Sequence, residues 1–205
     1  CLFWGVVMFV APMAVSSPEY IIQQYYEWYI ALVEKNADNI NVLAGNMADL
    51  STNISLLGMV RRTTQIVTYS DLWLIIPGII AFLIPYLRIS QYKYVAFRQT
   101  LLASVLMFTV LFSTGSENST YIIAFAGVAL WYCCAPWKRS KWDIALMVVV
   151  FIISSLSPGD LFPKAIYRGL IQPYALKALP VTIVWFKLCY EMYTRDYTPA
   201  VSRAI

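Results

Sequence analysis

The chain has 205 residues, of which 60% are hydrophobic and 13% are charged, and its mean hydropathy is +0.64. A soluble domain is about half apolar and about a quarter charged, so this composition argues against an ordinary water-soluble fold. The net charge of +4 does not indicate a nucleic-acid partner, because the basic residues lie in short segments between apolar runs. The composition therefore predicts a helical membrane protein whose first partner is the lipid bilayer.

Histidine is absent from the sequence. Its absence removes His-based metal sites, serine–histidine triads and a histidine general base from this chain. The four cysteines form no CxxC pair, and we expect them to be small buried hydrophobic residues: Cys1, Cys133, Cys134 and Cys189. We therefore predict neither a metal site nor a cofactor.

Apolar runs of about 15 to 20 residues recur along the chain, as transmembrane helices require. The predicted fold class is all-α, a polytopic transmembrane helical bundle with an extracytoplasmic amphipathic-helix region. The predicted spans are about residues 1–15, 72–87, 100–112, 121–135, 143–156 and 174–189. Because the first run begins at Cys1 rather than at a methionine, we expect residues 1–205 to be the C-terminal fragment of one integral membrane domain.

Residues 17–70 are predicted to form a helical insert on the outer face of the membrane. The start signal of the first helix of this insert is Ser16-Ser17-Pro18-Glu19, which offers a serine cap, a proline and an acid. The helix is predicted from Glu19 to about Lys35 and is broken by polar residues 36–39. A narrow polar stripe runs along it: Glu19, Gln23, Glu27 and Glu34. Its tyrosines and tryptophan favour the headgroup layer, so the helix either lies in the membrane interface or packs into a small soluble subdomain.

A second, shorter helix is predicted from Asn53 to Arg62, capped by Ser51 or Thr52. It places Arg61 and Arg62 at its negative end. Two interpretations remain open. The arginines either compensate the helix dipole and contact lipid headgroups, or they bind a phosphate, whose oxygens match the guanidinium fork.

The distribution of lysine and arginine predicts the orientation of the chain. The larger group lies in short loops and is expected to be cytoplasmic: Arg88, Lys93, Arg98, Lys138, Arg139, Lys141, Arg195 and Arg203. The smaller group is expected on the outer face: Lys35, Arg61, Arg62, Lys164 and Arg168. The loops Arg88–Arg98 and Lys138–Lys141 are then cytoplasmic, and residues 19–62, 113–120 and 160–168 converge outside. We expect a multi-pass protein of the cell membrane, which in bacteria is the inner membrane.

Two further features concern polar side chains near the predicted outer face. Lys177 lies within the last predicted span, about one turn from its outer boundary, and is expected to snorkel to the surface. Asn53-Ile-Ser55 and Asn118-Ser-Thr120 match the acceptor pattern for N-glycosylation, which requires an asparagine on the surface.

Three stretches of the chain resemble one family of enzymes. The segment Asn53-Ile-Ser-Leu-Leu-Gly58, followed by Arg61-Arg62, resembles the Asn-x-Ser-x-x-Gly…Arg segment of the polyprenol-phosphate-mannose-dependent mannosyltransferases, glycosyltransferase family 87. These enzymes belong to the C-type glycosyltransferase superfamily. The stretches Phe112–Ile123 and Leu176–Pro180 resemble members from gut Bacteroidetes. The resemblance covers most of this chain and the C-terminal half of such an enzyme.

The resemblance implies an inverting hexosyltransferase. Such an enzyme takes a sugar, here mannose, from a polyprenyl-phosphate donor and places it on a glycolipid or glycan acceptor at the outer membrane face. The catalytic base is expected to be an acidic residue of an outer loop in the N-terminal half. The fragment alone is therefore expected to be inactive.

The same resemblance, together with the chemistry of the donor, selects candidate site residues. Bond cleavage leaves negative charge on the donor phosphate, which cationic groups stabilise. The implied substrate- and phosphate-binding residues are Arg61, Arg62, Asn53, Ser55 and Gly58, with Lys164 and Arg168 as second choices. Asn53 and Ser55 would hydrogen-bond sugar hydroxyls or phosphate oxygens, and Gly58 would allow close helix approach. The outer-loop acids Glu117 and Asp160 are the implied accessory groups.

Two other function classes remain open. A transporter or flippase component predicts inverted-repeat segments with paired charges at mid-membrane, and the sequence shows neither. A non-enzymatic membrane scaffold would tolerate simultaneous substitution of Arg61 and Arg62, whereas an enzyme that binds its donor through them would not.

Overall fold

The computed structural model describes residues 2–45, 53–66, 69–157, 159 and 162–198, without the side chains of residues 2 and 40–45. Within these ranges the secondary structure is helical and contains no strand, which confirms the predicted all-α class. The α-helices are α1 Leu2–Val10, α2 Pro18–Gly45, α3 Leu56–Thr64, α4 Leu72–Leu83, α5 Val95–Leu111, α6 Tyr121–Cys133, α7 Lys141–Val150, α8 Lys164–Ile166 and α9 Ala178–Thr194. Short 3₁₀ helices cover Ala11–Ala14, Ile84–Leu87 and Ile89–Gln91, and π-helical turns cover Phe151–Leu156 and Tyr167–Ile171. In the described part of the chain, none of the helices combines the length and the apolar character needed to cross a bilayer.

The chain forms two compact units, residues 1–39 and residues 40–205, and the division falls within α2. In the first unit, α1 and α2 meet through an aromatic pair. The rings of Phe9 and Tyr25 are stacked with their centroids 4.2 Å apart. The Tyr25 hydroxyl also donates a hydrogen bond to the Phe9 carbonyl at 2.6 Å, so the pair ties the two helices together.

The helix α2 begins where the sequence predicts and ends later. The Ser17 Oγ accepts a hydrogen bond from the Tyr20 amide at 3.4 Å, which confirms the predicted serine cap. The prediction that residues 36–39 end the helix is wrong, because α2 continues to Gly45. Asparagine and aspartate lower helix stability by at most about 0.7 kcal/mol each, which a long helix tolerates. Large side chains are exposed along α2: Tyr20, Ile22, Tyr26, Trp28 and Tyr29.

The second unit is built around α5, α6 and α9, which pack against one another. Its core consists of large apolar side chains from these three helices: Phe97, Met107, Leu111, Val128, Trp131, Trp185, Leu188 and Met192. Close packing of such side chains stabilises the unit through many small dispersion contacts. The three helices therefore form the frame to which the shorter helix α3 is attached through α9.

Two contacts show how closely the frame helices approach one another. A Cβ atom at Gly127 of α6 would lie 2.9 Å from the Ala103 carbonyl oxygen of α5, so this crossing requires a residue without a side chain. Between α5 and α9, the Trp185 Nε1 donates a hydrogen bond to the Ser104 Oγ at 3.1 Å. The small residues bring the backbones together, and the serine satisfies the buried indole donor.

A buried ion pair joins α9 to the segment between α6 and α7. The Arg139 Nη1 lies 3.0 Å from the Glu191 Oε2, and the Trp131 Nε1 donates a hydrogen bond to the same oxygen at 2.9 Å. The Arg139 guanidinium carbon also lies 4.2 Å from the centre of the Trp131 ring. Arg139, which the sequence analysis counts among the loop charges that set orientation, thus belongs to the packed interior of this unit.

Details of two other sequence predictions change in the structure. The helix α7 begins at Lys141, two residues before the predicted span, with a capping box formed by Ser140 and Asp143. Cys189 is buried as expected, but the prediction is wrong for Cys133, which is exposed at the last position of α6. Cys1 lies outside the described residues.

Candidate functional site

A sharp turn precedes α3. The helix begins at Leu56, and its N-cap is Ser55, whose Oγ accepts a hydrogen bond from the Gly58 amide at 3.1 Å. The prediction that the helix starts at Asn53 is wrong, because Asn53 has a φ of 50°, which lies in the left-handed region and is incompatible with a right-handed helix. The predicted capping residues 51–52 lie outside the described part of the chain.

The turn is compact because Gly58 has no side chain. A Cβ atom at this position would lie 1.9 Å from the Asn53 carbonyl oxygen and 2.7 Å from the Asn53 Oδ1. The Ser55 Oγ donates a hydrogen bond to the same Oδ1 at 2.8 Å, which closes the turn. The close approach that Gly58 allows is therefore that of the Asn53 backbone. The prediction that Gly58 allows a neighbouring helix to approach is wrong.

The backbone of Ile54, in the turn before α3, is hydrogen-bonded to the 113–120 turn and to Tyr121, which follows it. The Ile54 amide donates a hydrogen bond to the Ser116 carbonyl at 2.7 Å, and the Ile54 carbonyl accepts one from the Tyr121 hydroxyl at 2.7 Å. Ser116 is itself tied to α5, because its Oγ donates a hydrogen bond to the Val110 carbonyl at 2.5 Å. Two of the three polar segments that were predicted to share the outer face are therefore in contact, while the membrane face itself stays a prediction.

Arg61 is 3% exposed and lies in the last turn of α3. Its Nη2 is 2.6 Å from the Asp71 Oδ1, and its guanidinium carbon lies 5.0 Å from the centre of the Tyr69 ring. Asp71 makes no side-chain hydrogen bond that caps α4. Asp71 occupies the N-cap position of α4, but its carboxylate pairs with the arginine and not with the helix amides.

The half-buried Tyr69 links the Arg61 pair to the start of α3. Its hydroxyl donates a hydrogen bond to the Leu57 carbonyl at 2.9 Å. Burial raises the pKa of Tyr69 above its ordinary value of 10, although the nearby arginine opposes part of this shift. The hydroxyl therefore keeps its proton, and remains a donor, throughout the neutral pH range.

Arg62 is 5% exposed, and its Nη1 donates a hydrogen bond to the Gln172 carbonyl at 2.8 Å. Because Gln172 follows the second π-helical turn, this bond ties α3 to the segment that leads into α9. The second-choice cations Lys164 and Arg168 are exposed on that segment. The structure thus places Arg61 and Arg62 together at the end of α3 and leaves the other two cations on the surface.

The predicted accessory acids do not join this cluster. Glu117 is exposed in the 113–120 turn, and Asp160 lies outside the described residues. Among the residues that the structure describes, there is no group of three or more cysteine, aspartate or glutamate side chains arranged to bind a metal ion.

Lys177 and Asn118 contact each other near the site and were not selected as site residues from the sequence. Lys177 is 1% exposed, and its Nζ donates a hydrogen bond to the Asn118 Oδ1 at 2.8 Å. The same Nζ lies 5.5 Å from the centre of the Tyr121 ring. The prediction that Lys177 snorkels is wrong, because its side chain points into the 113–120 turn. The signal in the sequence is a lone lysine among apolar residues, with no acid within a helical turn of it.

The glycosylation interpretation also changes. Asn53 has no exposed surface, so it does not meet the requirement that a modified asparagine lie on the surface. Asn118 is half-buried and accepts the hydrogen bond from Lys177. Both asparagines therefore serve the fold of the site.

An apolar groove of about 380 Å³ lies at the start of α4. It is lined by Ser70, Leu72, Trp73, Ile76 and Pro77. Its volume falls within the range of small-molecule sites, which is about 300–1,000 Å³.

Comparison with known protein families defines the class of the protein. A model of a family of glycosyltransferases, which are enzymes that transfer sugars, matches residues 1–114, more than half of the chain. The chain belongs to glycosyltransferase family 87. No curated protein and no solved structure matches it. The matched residues include the turn before α3, both arginines and the groove, whereas Lys177 and Asn118 lie outside them.

Proposed function

We propose that the protein is an inverting glycosyltransferase of the bacterial cell membrane that moves mannose from a polyprenyl-phosphate donor to a glycolipid or glycan acceptor at the outer face. Membership of glycosyltransferase family 87 supports the transferase class. The apolar composition and the recurring apolar segments support the membrane location. In this proposal the loops Arg88–Arg98 and Lys138–Lys141 face the cytoplasm, and α2 lies in the outer interface.

The observation that carries the proposal is the burial of two adjacent arginine side chains in the last turn of α3. When the glycosidic bond breaks, the departing lipid phosphate gains negative charge, and preorganised cationic donors stabilise that charge most strongly where water is excluded. Arg61 and Arg62 lie at 3% and 5% exposure, and a guanidinium fork matches phosphate oxygens. The groove at the start of α4 is apolar, as an isoprenoid chain attached to the phosphate requires.

The two arginines have different tasks in this proposal. Arg61 uses its Nη2 for Asp71, while its Nε and Nη1 are buried and have no hydrogen-bond partner among the described residues. These two donors lie on opposite edges of the guanidinium group, so a phosphate oxygen at either one would satisfy that donor without breaking the ion pair. Arg62 supplies the second positive charge and is held in place through Gln172.

The turn before α3 supplies neutral groups to the same site. The Asn53 Nδ2 is buried and has no hydrogen-bond partner in the described part of the chain, so it suits a phosphate or sugar oxygen. The Ser55 Oγ is already engaged as cap and turn donor, so we propose that it shapes the site rather than binds the sugar. Lys164 and Arg168 remain surface cations that suit the approach of an anionic lipid.

The experiment that tests this function measures sugar transfer in membranes containing the full-length protein. Radiolabelled polyprenyl-phosphate-mannose is supplied to the wild type and to the Arg61→Ala/Arg62→Ala variant. We expect the variant to lose about 10²–10³-fold in transfer rate, the range seen when a preorganised charge-stabilising donor is removed. The matched control is Lys93→Ala/Arg98→Ala, which removes two exposed cations and is expected to transfer at the wild-type rate.

Each outcome has a distinct meaning. Loss of transfer by a variant with a normal melting temperature supports both the enzyme and the arginine assignment. Equal transfer by variant and wild type keeps the enzyme and rejects the arginines as the phosphate site. Absence of transfer by the wild type with any polyprenyl-phosphate sugar rejects the proposed donor and favours a transporter or a scaffold.

A further inference from the structure

The ammonium group of Lys177 lies in an environment that opposes its charge. It is 1% exposed, and its hydrogen-bond partner at 2.8 Å is the neutral side chain of Asn118. Lys177 also occupies the N-cap position of α9, where the helix dipole disfavours a positive charge. Burying a cation beside a neutral acceptor is costly, and a methionine would fill a similar volume without that cost. Retention of a lysine here calls for a role that an apolar side chain does not perform.

The contacts of Lys177 lead to the turn before α3. Asn118 belongs to the 113–120 turn, whose Ser116 carbonyl accepts the hydrogen bond from the Ile54 amide. Tyr121, whose ring lies beneath the Lys177 ammonium, donates its hydroxyl to the Ile54 carbonyl. Both backbone polar groups of Ile54 are therefore held by a segment that Lys177 contacts at two points.

The second contact explains why a cation suits this position. An ammonium group is attracted to the face of an aromatic ring, and it donates to an amide oxygen more strongly than a neutral group does. A single lysine thereby fixes both Asn118 and the Tyr121 ring. An apolar replacement would contact the ring but would leave the Asn118 Oδ1 without its donor.

We propose that Lys177 is a positioning residue for the site, which acts through Asn118 and Tyr121 to hold the Asn53–Arg62 segment in place. It does not touch the substrate. Lys177 holds the 113–120 turn, and this turn holds Ile54. Ile54 in turn fixes the position of Asn53 and of the start of α3, the helix that carries the arginines. The contribution of Lys177 to sugar transfer rests on the proposed function, whereas its contribution to the order of the segment does not.

The alternative role for Lys177 is direct electrostatic binding of an anionic ligand. The variant Asn118→Asp separates the two roles. It supplies a carboxylate to the same ammonium, so the contact that holds the 113–120 turn is kept while the positive charge is neutralised. A positioning residue keeps its effect in this variant, whereas an anion-binding residue loses it.

The first test measures hydrogen exchange of the backbone amides in residues 53–62 of the intact protein. Lys177→Met is expected to speed exchange of the Ile54 amide about tenfold or more, the factor that corresponds to loss of a hydrogen bond to a charged group. Asn118→Asp and the control Lys141→Met, which removes an exposed lysine, are expected to exchange at the wild-type rate. Unchanged exchange in Lys177→Met would overturn the proposal.

A second variant covers the case in which Lys177→Met unfolds the protein. Exchange in residues 97–111 of α5 reports whether the packing of α5, α6 and α9 is intact. If Lys177→Met also speeds exchange there, Asn118→Ala is used to test whether the contact with Asn118 orders residues 53–62. We expect Asn118→Ala to speed exchange in residues 53–62 and to leave residues 97–111 unchanged. If it changes neither segment, the proposal is rejected.

The transfer assay separates kcat from the KM for the donor, and a residue with a purely structural role would not change these two constants selectively. We expect Lys177→Met to lower kcat with little change in KM for the donor, and Asn118→Asp to restore transfer close to the wild-type rate. A raised KM in Asn118→Asp would reject positioning in favour of direct ligand binding. If the wild type transfers no sugar, the proposed function fails, and the exchange measurements still decide whether Lys177 orders the segment.

Discussion

Replacing Glu191 with glutamine is expected to lower the free energy of unfolding by about 3–5 kcal/mol, because it leaves a buried guanidinium without its counter-charge. The side chains of Arg139 and Glu191 are 8% and 3% exposed, and their charged atoms lie 3.0 Å apart. Glutamine keeps the shape of the side chain and an acceptor for the Trp131 indole. The expected loss in the free energy of unfolding therefore comes from removing the negative charge of Glu191. Equilibrium unfolding in detergent measures this loss.

A surface pair in the same protein provides the matched control. Arg88 and Asp196 lie 2.7 Å apart with side chains 23% and 70% exposed. Asp196→Asn is expected to cost less than about 1 kcal/mol, since solvent screens an exposed pair. Replacing both Arg139 and Glu191 with apolar residues is expected to recover much of the loss. Equal costs for Glu191→Gln and Asp196→Asn would contradict a buried, structurally important pair.

The largest expected effect on activity comes from Gly58→Ala. The new Cβ atom would lie 1.9 Å from the Asn53 carbonyl oxygen, a contact that no side-chain rotation relieves because both atoms are fixed by the backbone. The turn before α3 must therefore move by more than 1 Å relative to the helix to reach an ordinary contact distance of about 3.4 Å. Displacement on this scale costs about 10²-fold in rate when it misplaces binding groups, and we expect a loss of that size in sugar transfer.

The control for this prediction is Gly169→Ala. A Cβ atom at Gly169 has no other atom within 4 Å, so the substitution tests a glycine that no close contact requires. We expect wild-type transfer and an unchanged melting temperature from Gly169→Ala. For Gly58→Ala we expect a melting temperature lowered by roughly 2–12 °C, since a steric clash in packed surroundings costs about 1–3 kcal/mol. Normal transfer by Gly58→Ala would show that the compact turn is unnecessary for the reaction.

The helical class and the meeting of the polar segments were accessible from the sequence. Apolar runs predict helices whatever their tertiary surroundings, and Ser17 predicts a cap because its hydroxyl acts on amides three residues away. Residues 53–62 and 113–120 were predicted to lie on one side of the chain from the distribution of lysine and arginine, and they meet through the backbone of Ile54. The helices and the serine cap depend only on residues a few positions apart, and the placement of the polar segments depends on the number of lysines and arginines in each loop.

Other features depend on contacts that lie far apart in the sequence. Asp71 reads as a helix cap, yet in the fold its carboxylate meets Arg61, ten positions earlier. Lys177 reads as a snorkelling side chain because its acceptor, Asn118, lies 59 positions away. No periodicity links such residues. The cap at Ser55 is hidden for another reason, since it depends on the left-handed backbone of Asn53.

The most direct test of the central claim, that the Asn53–Arg62 segment binds the phosphate of a polyprenyl-phosphate donor, is a comparison of lipid affinities. The Kd for polyprenyl phosphate and the Kd for uncharged polyprenol of equal length are measured on the wild type and on Arg61→Ala/Arg62→Ala. We predict that the wild type prefers the phosphate by about tenfold or more, as charge-assisted hydrogen bonds require. We also predict that the variant loses this preference while its affinity for polyprenol is unchanged. Equal affinity of the wild type for the two lipids would contradict the claim.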